Sequence, residues 1–90
     1  MKQKLPLGQV LATPGVLAIE GCDVLSMSEL LSRHASGDWG DLCEEDKRDN
    51  DFAVADGDRV LSAYRLGGEK VWIITEADRS STTILLPCEY

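Results

Sequence analysis

The spacing of apolar side chains changes past the middle of this 90-residue chain. Before Gly57 they recur every three or four residues, as on one side of a helix; from Arg59 onward they alternate with polar residues, as in a strand. Helices followed by strands are typical of an α+β domain. The pattern predicts a single domain over residues 1–90, in which two or three N-terminal helices pack on a three-stranded antiparallel β-meander.

The first helix is short and has a clear start signal. Residues 5–13 are mostly apolar and too few for a packed helix, so we expect them to be extended. Thr13 then stands where a helix N-cap is favoured, and Pro14 stands at the first helical position. We expect this helix to end near Glu20, before Gly21.

The second helix is predicted by a capping box. Ser26 and Glu29 form the pattern S-x-x-E, in which each side chain satisfies a backbone N–H of the first turn. Gly37 offers a C-terminal stop. The side chains that follow at helical spacing are Met27, Leu30, Leu31 and His34.

The third helix is predicted over residues 42–55. Asp41 is its expected N-cap with Glu44 as the reciprocal partner, and Gly57 is its expected stop. The side chains that we expect to face inward are Leu42 and Phe52.

Three apolar segments follow, VLSAYRL (60–66), KVWIITEA (70–77) and TTILLP (82–87). The pair Gly67-Gly68 between the first two is a strong signal for a tight hairpin. The second strand is apolar on both faces. We therefore expect helices to cover one face of the sheet, and the N-terminal segment or a second subunit to cover part of the other.

Negative charge is concentrated in one segment. Residues 38–58 contain nine acids and two bases, which account for the whole net charge of −7. This sign repels phosphate backbones, so the sequence predicts no direct nucleic-acid binding and favours a basic protein surface as the partner.

Within that segment, Asp41, Glu45 and Asp49 are spaced to lie on one face of the third helix, where they repel one another. A basic partner would relieve this cost; the alternative is an ordinary solvated face that keeps the protein soluble. Trp39 is either an apolar anchor for the partner or a side chain that pins the corner formed by GDWGD (37–41) to the core. The predicted partner-binding residues are Asp38, Trp39, Asp41, Glu44, Glu45, Asp46, Asp49 and Asp51.

Catalytic and metal motifs are weak, so we expect a non-enzymatic protein without cofactor or metal. His34 and Cys43 are conceivable as a nucleophilic pair, but a hydrogen-bonded core histidine is the simpler interpretation. The string DNDFAVADGD spaces Asp49 and Asp51 as calcium ligands, yet Val54 stands where a calcium loop needs glycine. Asp78-Arg79 is predicted to be a turn with a local ion pair.

Three cysteines without a CxxC pair argue against a disulfide framework and suit a reducing cytoplasm. No apolar run approaches the roughly 20 residues of a membrane span. We therefore expect a cytoplasmic protein that does not bind membranes.

Three stretches, HASGDWGDL-EEDK, LSAY and WIITEADRSSTTILLP, resemble a family of small proteins encoded on plasmids and integrative elements of proteobacteria and labelled plasmid-related protein. The resemblance extends from LGQVLATPG to ILLPCEY. Some members carry the label of a type I restriction modification subunit, but this sequence has neither a glycine-rich loop for S-adenosylmethionine nor an Asn-Pro-Pro-Tyr motif. The resemblance implies a mobile-element setting and transfers no functional residue.

These observations favour an acidic binding module, in its sharper form an anti-CRISPR or anti-restriction inhibitor that mimics nucleic-acid phosphates on a host protein or nucleoprotein complex. The alternative is an antitoxin-like or regulatory module whose exposed sheet face or edge, through Trp72 and Tyr64, pairs with a toxin or with itself as a homodimer. A third possibility is a small enzyme that uses His34, Cys43 or the Asp78-Arg79 loop.

Overall fold

The computed structural model describes residues 4–90 and confirms the α+β class. One sheet holds four strands in the order β1-β4-β3-β2. The elements are β1 (Gln9–Ala12), α1 (Pro14–Leu17), α2 (Val24–Ala35), α3 (Glu44–Asp56), β2 (Val60–Leu66), β3 (Glu69–Thr75), β4 (Ser81–Leu85) and a 3₁₀ turn (Pro87–Glu89).

The antiparallel meander of β2, β3 and β4 is present, but the sheet is mixed because β1 adds a fourth strand. The β2–β3 hairpin turns at Gly67 and Gly68, whose φ angles of 58° and 82° favour glycine. β1 pairs in parallel with β4, from Gln9 opposite Ser81 onward. A four-residue strand whose partner lies some seventy residues away leaves no local pattern, so the sequence predicted its extended shape and missed its pairing.

Two of the predicted helix signals are confirmed and one is wrong. Thr13 caps α1 by accepting a hydrogen bond from the Val16 N–H, and Gly37, with φ 90°, follows the end of α2. The capping box at Ser26 is wrong, because α2 begins three residues earlier. Asp23 is its N-cap and accepts a hydrogen bond from the Ser26 N–H at 2.7 Å.

The third helix ends at Gly57 as predicted, in the left-handed conformation. Its predicted cap is wrong: the N-cap is Cys43, which makes no side-chain cap bond. Asp41 lies two residues before this cap, and its N–H donates to the carbonyl of Ala63 at 2.7 Å, which holds it against β2.

The helices cover one face of the sheet over two apolar clusters. The larger cluster is Val16, Leu30, Tyr64, Leu66, Val71, Ile73 and Ile84; the smaller is Leu5, Trp39, Ala53 and Val60. Leu42 packs against the smaller cluster, as predicted. Phe52 was predicted to face inward and is 67% exposed, because α3 turns Asn50 and Ala53 to the core.

A chain of buried polar groups separates the two clusters. Thr82 Oγ1 donates to the Leu7 carbonyl, so it accepts the proton of Thr75 Oγ1 at 2.8 Å. Thr75 in turn accepts from His34 Nε2 at 2.8 Å, which leaves His34 Nδ1 to accept from the Ser62 hydroxyl at 2.5 Å. Each hydroxyl has one proton, and this arrangement uses all of them.

The second face of the sheet is covered in part by the C-terminus, whereas we expected the N-terminal segment or a second subunit there. Tyr90 stacks edge-on against Trp72, with ring centroids 5.8 Å apart. The guanidinium of Arg59 lies 5.7 Å from the centre of the Tyr90 ring. Glu89 fastens this turn by accepting hydrogen bonds from the Thr13 hydroxyl and the Gly15 N–H.

Candidate functional site: the acidic surface

Five exposed carboxylates lie together on the first half of α3 and the loop before it. Among residues 4–90, only one of these five carboxylates forms an ion pair: that of Glu44 lies 3.6 Å from Lys47 Nζ. Such an exposed pair contributes little, so the negative charge is scarcely compensated. We call the five residues the acidic surface: Asp41, Glu44, Glu45, Asp46 and Asp49.

Of the three carboxylates predicted to form a row on one helix face, two lie on the helix and one does not. Asp41 precedes α3 by three residues and belongs to the loop. Glu45 and Asp49 remain one turn apart on the helix. Acids in the first turn interact favourably with the helix dipole, whereas Asp49, in the middle of α3, gains nothing from it.

Asp38 and Asp51, also predicted as partner-binding residues, have carboxylates that are already engaged. Arg33 donates from Nε to Asp38 at 2.7 Å, and this hydrogen bond holds the pKa of Asp38 below its usual value. Asp51 accepts a hydrogen bond from Trp39 Nε1 at 2.9 Å. The carboxylates of both residues therefore stabilise the corner, and they are not among the carboxylates left free for a partner.

Trp39 is 3% exposed, which matches the second of its two predicted roles, a pin between the corner and the core. Its ring stacks edge-on against His34 at 5.7 Å. Tyr64 is also buried, and its hydroxyl donates to the Asp38 carbonyl at 2.5 Å. Burial raises the pKa of Tyr64 to about 12. The prediction that Tyr64 lies on an exposed sheet face is therefore wrong.

The corner at Gly40 pairs with β2 like a short extra strand. Ala63 donates its N–H to the Trp39 carbonyl and accepts from the Asp41 N–H. Gly40 has φ 74°, and an added Cβ would lie 1.9 Å from the Ala63 carbonyl oxygen. Only glycine allows this approach, and the approach fixes Asp41 beside the sheet.

Asn50 joins α3 to the same edge. Its Nδ2 donates to the Leu61 carbonyl at 2.6 Å and its Oδ1 accepts from the Leu61 N–H at 3.3 Å. The side chain thus takes the place of a neighbouring strand. No pattern in the sequence marks Asn50 for this role, since it stands in a wholly polar run.

Arg79 fixes the other end of α3. It donates to the carbonyls of Ala53 and Asp58, at 3.0 and 2.7 Å. A cation at a helix C-terminus interacts favourably with the helix dipole. The predicted ion pair with Asp78 is wrong, because the Asp78 carboxylate accepts a hydrogen bond from the Ser80 N–H.

A shallow depression lies between α3 and β2. Leu42 and Leu61 contribute apolar side chains to it, and Asp46, Asp49 and Asn50 complete its lining. Lysine and arginine bury their methylene stems on apolar surface while the charged head stays at the edge. The depression therefore has the chemistry to accept one basic side chain, with its head against Asp46 and Asp49.

The interpretation of His34 as a hydrogen-bonded core histidine is confirmed, and the alternative pair with Cys43 is not assembled. His34 is fully buried with both ring nitrogens bonded to hydroxyls, and burial, with a smaller effect from the charge of Arg79, lowers its pKa to about 4. Cys43 is exposed. Asp49 and Asp51 lie inside α3 and not in a calcium loop.

The described part of the chain, residues 4–90, has no group of three histidine, cysteine or carboxylate side chains placed to hold a metal ion. Nor does any helix within these residues have the length and apolar character to cross a membrane. The three cysteines are free thiols.

Comparison of the chain with models of protein families, with curated proteins and with solved structures gave no match.

Proposed function

We propose that this protein is a non-enzymatic binding module whose acidic surface docks on a basic surface of another protein. The observation that carries the proposal is the depression between α3 and β2, where exposed carboxylates border apolar side chains. Carboxylates spread over a uniform polar surface would serve solubility equally well. Carboxylates beside an apolar floor are better suited to hold basic side chains.

Rigidity of the support favours binding over solubility. The corner is held to β2 at Gly40, α3 is held by Asn50, and the end of α3 is held by Arg79. A fixed array of charges loses less conformational entropy on docking than a flexible tail does.

The sharper form of the proposal is mimicry of nucleic-acid phosphates. In this form the partner is a host protein that normally binds DNA or RNA, and the acidic surface occupies its phosphate-binding channel. The resemblance to plasmid-encoded proteins supports this setting, since anti-restriction and anti-CRISPR inhibitors act there.

The test compares two variants with the same loss of charge. One carries Glu45→Gln, Asp46→Asn and Asp49→Asn in the acidic surface; the control carries Glu20→Gln, Glu29→Gln and Glu69→Gln at exposed sites elsewhere. Proteins captured from lysate by the wild type are identified by mass spectrometry. The affinity of the purified partner is then measured at low and moderate salt.

We expect the acidic-surface variant to bind at least about tenfold more weakly and the control to bind like the wild type, because only the former loses charge at the interface. Salt should weaken wild-type binding, since exposed charges are screened over about 8 Å at physiological ionic strength. The mimicry form further requires that the protein displace nucleic acid from the partner. Equal binding by both variants would rule the proposal out.

A further inference from the structure

The two edges of the sheet are treated differently, and β1 is the open one. Gln9 and Thr13 donate their N–H groups to the carbonyls of Ser80 and Ile84 in and beside β4. Backbone groups along a strand alternate in direction, so those of Val10 and Ala12 point away from the sheet. Within residues 4–90, no hydrogen bond from a loop or side chain reaches either residue.

Of the usual protections of an edge strand, β1 has only its short length of four residues. Natural edges are blunted by lysine, proline, bulges or inward-pointing charges. The strand reads QVLA, and the whole stretch from residue 5 to residue 19 has no charged side chain. Val10 is 45% exposed and Leu11 is 44% exposed. The edge therefore offers both unpaired backbone groups and apolar side chains to a second strand.

An apolar groove continues this surface on the helical face. β1 contributes Val10, Leu11 and Ala12 to its lining, and α2 contributes Val24, Met27 and Leu31. Val24 is 77% exposed at this site. A strand added beside β1 would place alternate side chains against the groove.

We propose that the occupant is a second copy of this chain, paired antiparallel through β1 about a two-fold axis at Leu11. In this register Val10 of each copy lies opposite Ala12 of the other, so the outward-pointing groups meet in two hydrogen-bonded pairs. Leu11 faces its own symmetry mate on the other side of the sheet. Pro14, the next outward residue after Ala12, has no N–H and ends the pairing.

Charge does not oppose a second copy at this edge. The net charge of −7 lies in residues 38–58, and α3 packs beside β2, at the opposite edge from β1. In a continuous eight-stranded sheet the two copies of β2 are seven strand spacings, about 34 Å, apart. That distance is several Debye lengths at physiological salt, so the two acidic surfaces do not oppose association. Both also remain exposed for a partner.

The first test is the molar mass of the protein in solution, by light scattering, over a wide range of concentration. We expect wild type to approach the mass of a dimer as concentration rises, with little effect of salt. Leu11→Lys, which sets two cations face to face on the axis, should weaken dimerisation at least about tenfold. Phe52→Lys, at an exposed apolar side chain on α3, should leave it unchanged. Circular dichroism checks that both variants fold.

The second test fixes the register without a destabilising charge. Leu11→Cys is made in a background of Cys43→Ser and Cys88→Ser, and oxidised glutathione is the oxidant. Directly opposite residues in a pair without hydrogen bonds have Cα atoms about 4.5 Å apart, which a disulfide spans. Gln9→Cys is the register control, since its two copies would lie about 14 Å apart.

A covalent dimer from Leu11→Cys and none from Gln9→Cys supports the proposal. A wild type that stays monomeric at every concentration overturns it, and so does a dimer that Leu11→Lys leaves intact, because the interface would then lie elsewhere. These outcomes are independent of the acidic surface, since neutralising that surface should not change the molar mass.

Discussion

The two edges of the sheet show two ways to treat the same physical problem. At the β2 edge, the backbone of Ala63 pairs with the corner at Gly40, and that of Leu61 bonds to Asn50. At the β1 edge, nothing within the described residues 4–90 takes that place. The covered edge carries the acidic surface and the open edge carries no charge. Charge and exposed backbone are therefore separated in this sheet, so that two different kinds of contact are available at its opposite edges.

The buried polar chain runs between these edges, and acid should break it. His34 has a pKa of about 4 in the fold, against about 6.5 in an unfolded chain. The unfolded state therefore takes up a proton between pH 6.5 and 4 that the folded state does not. Stability is complete above pH 6.5 and falls as pH decreases, by about 3 kcal/mol at pH 4.

The measurement is urea unfolding of wild type and His34→Gln at a series of pH values from 7 to 4. Both proteins share the same carboxylates, so the difference between their pH profiles isolates His34. We expect the stability of the variant not to fall between pH 6.5 and pH 4.5, because Gln does not titrate. Identical profiles would show that His34 is protonated without cost in the fold. The carboxylates of Asp38 and Asp78, with lowered pKa values, lose their contribution only at still lower pH.

Removing the Asn50 side chain should leave the β2 edge with unpaired backbone groups, like the β1 edge. Asn50→Ala leaves the N–H and carbonyl of Leu61 without their partner, at a cost of about 2 kcal/mol in the free energy of unfolding. Phe52→Ala, two residues along α3 and largely exposed, is the control and should change stability by less than about 0.5 kcal/mol. Chemical denaturation measures both. Equal effects of the two substitutions would contradict a structural role for the Asn50 amide.

Much of this fold was predictable because its signals are local. Thr13-Pro14 begins a helix, Gly37 and Gly57 end helices, and Gly67-Gly68 turns a hairpin, each through the backbone freedom or hydrogen bonding of one or two residues. The charged segment was visible for the same reason. These features depend on neighbours in the sequence and not on the rest of the fold.

The errors share a different cause, which is pairing between distant residues. Asp41 is a residue type that often caps helices, but pairing with Ala63 on β2 holds it in the loop two residues before the cap of α3. Tyr64 and Trp39 are large aromatic side chains that suit either a surface or a core. In the fold both are buried, because their polar atoms find hydrogen-bond partners in Asp38 and Asp51. The parallel pairing of β1 was missed because its partner comes at the other end of the chain. The position of the open edge at β1 was therefore not visible in the sequence, which suggested a homodimer only through Trp72 and Tyr64.

The smallest predicted effect concerns the cost of the charge at the covered edge. Asp49 lies three and four residues after Asp46 and Glu45 on α3 and is too far from the N-terminus to benefit from the helix dipole. Asp49→Asn should therefore raise the free energy of unfolding by about 0.3 to 0.5 kcal/mol at low salt. The gain should vanish at high salt, where screening already relieves the repulsion.

Glu45→Gln, in the first turn, is the control and should gain less, because it also loses its favourable contact with the dipole. If Asp49→Asn proves destabilising at low salt, the carboxylate stabilises the fold, and α3 carries no repulsion at this position for a partner to relieve.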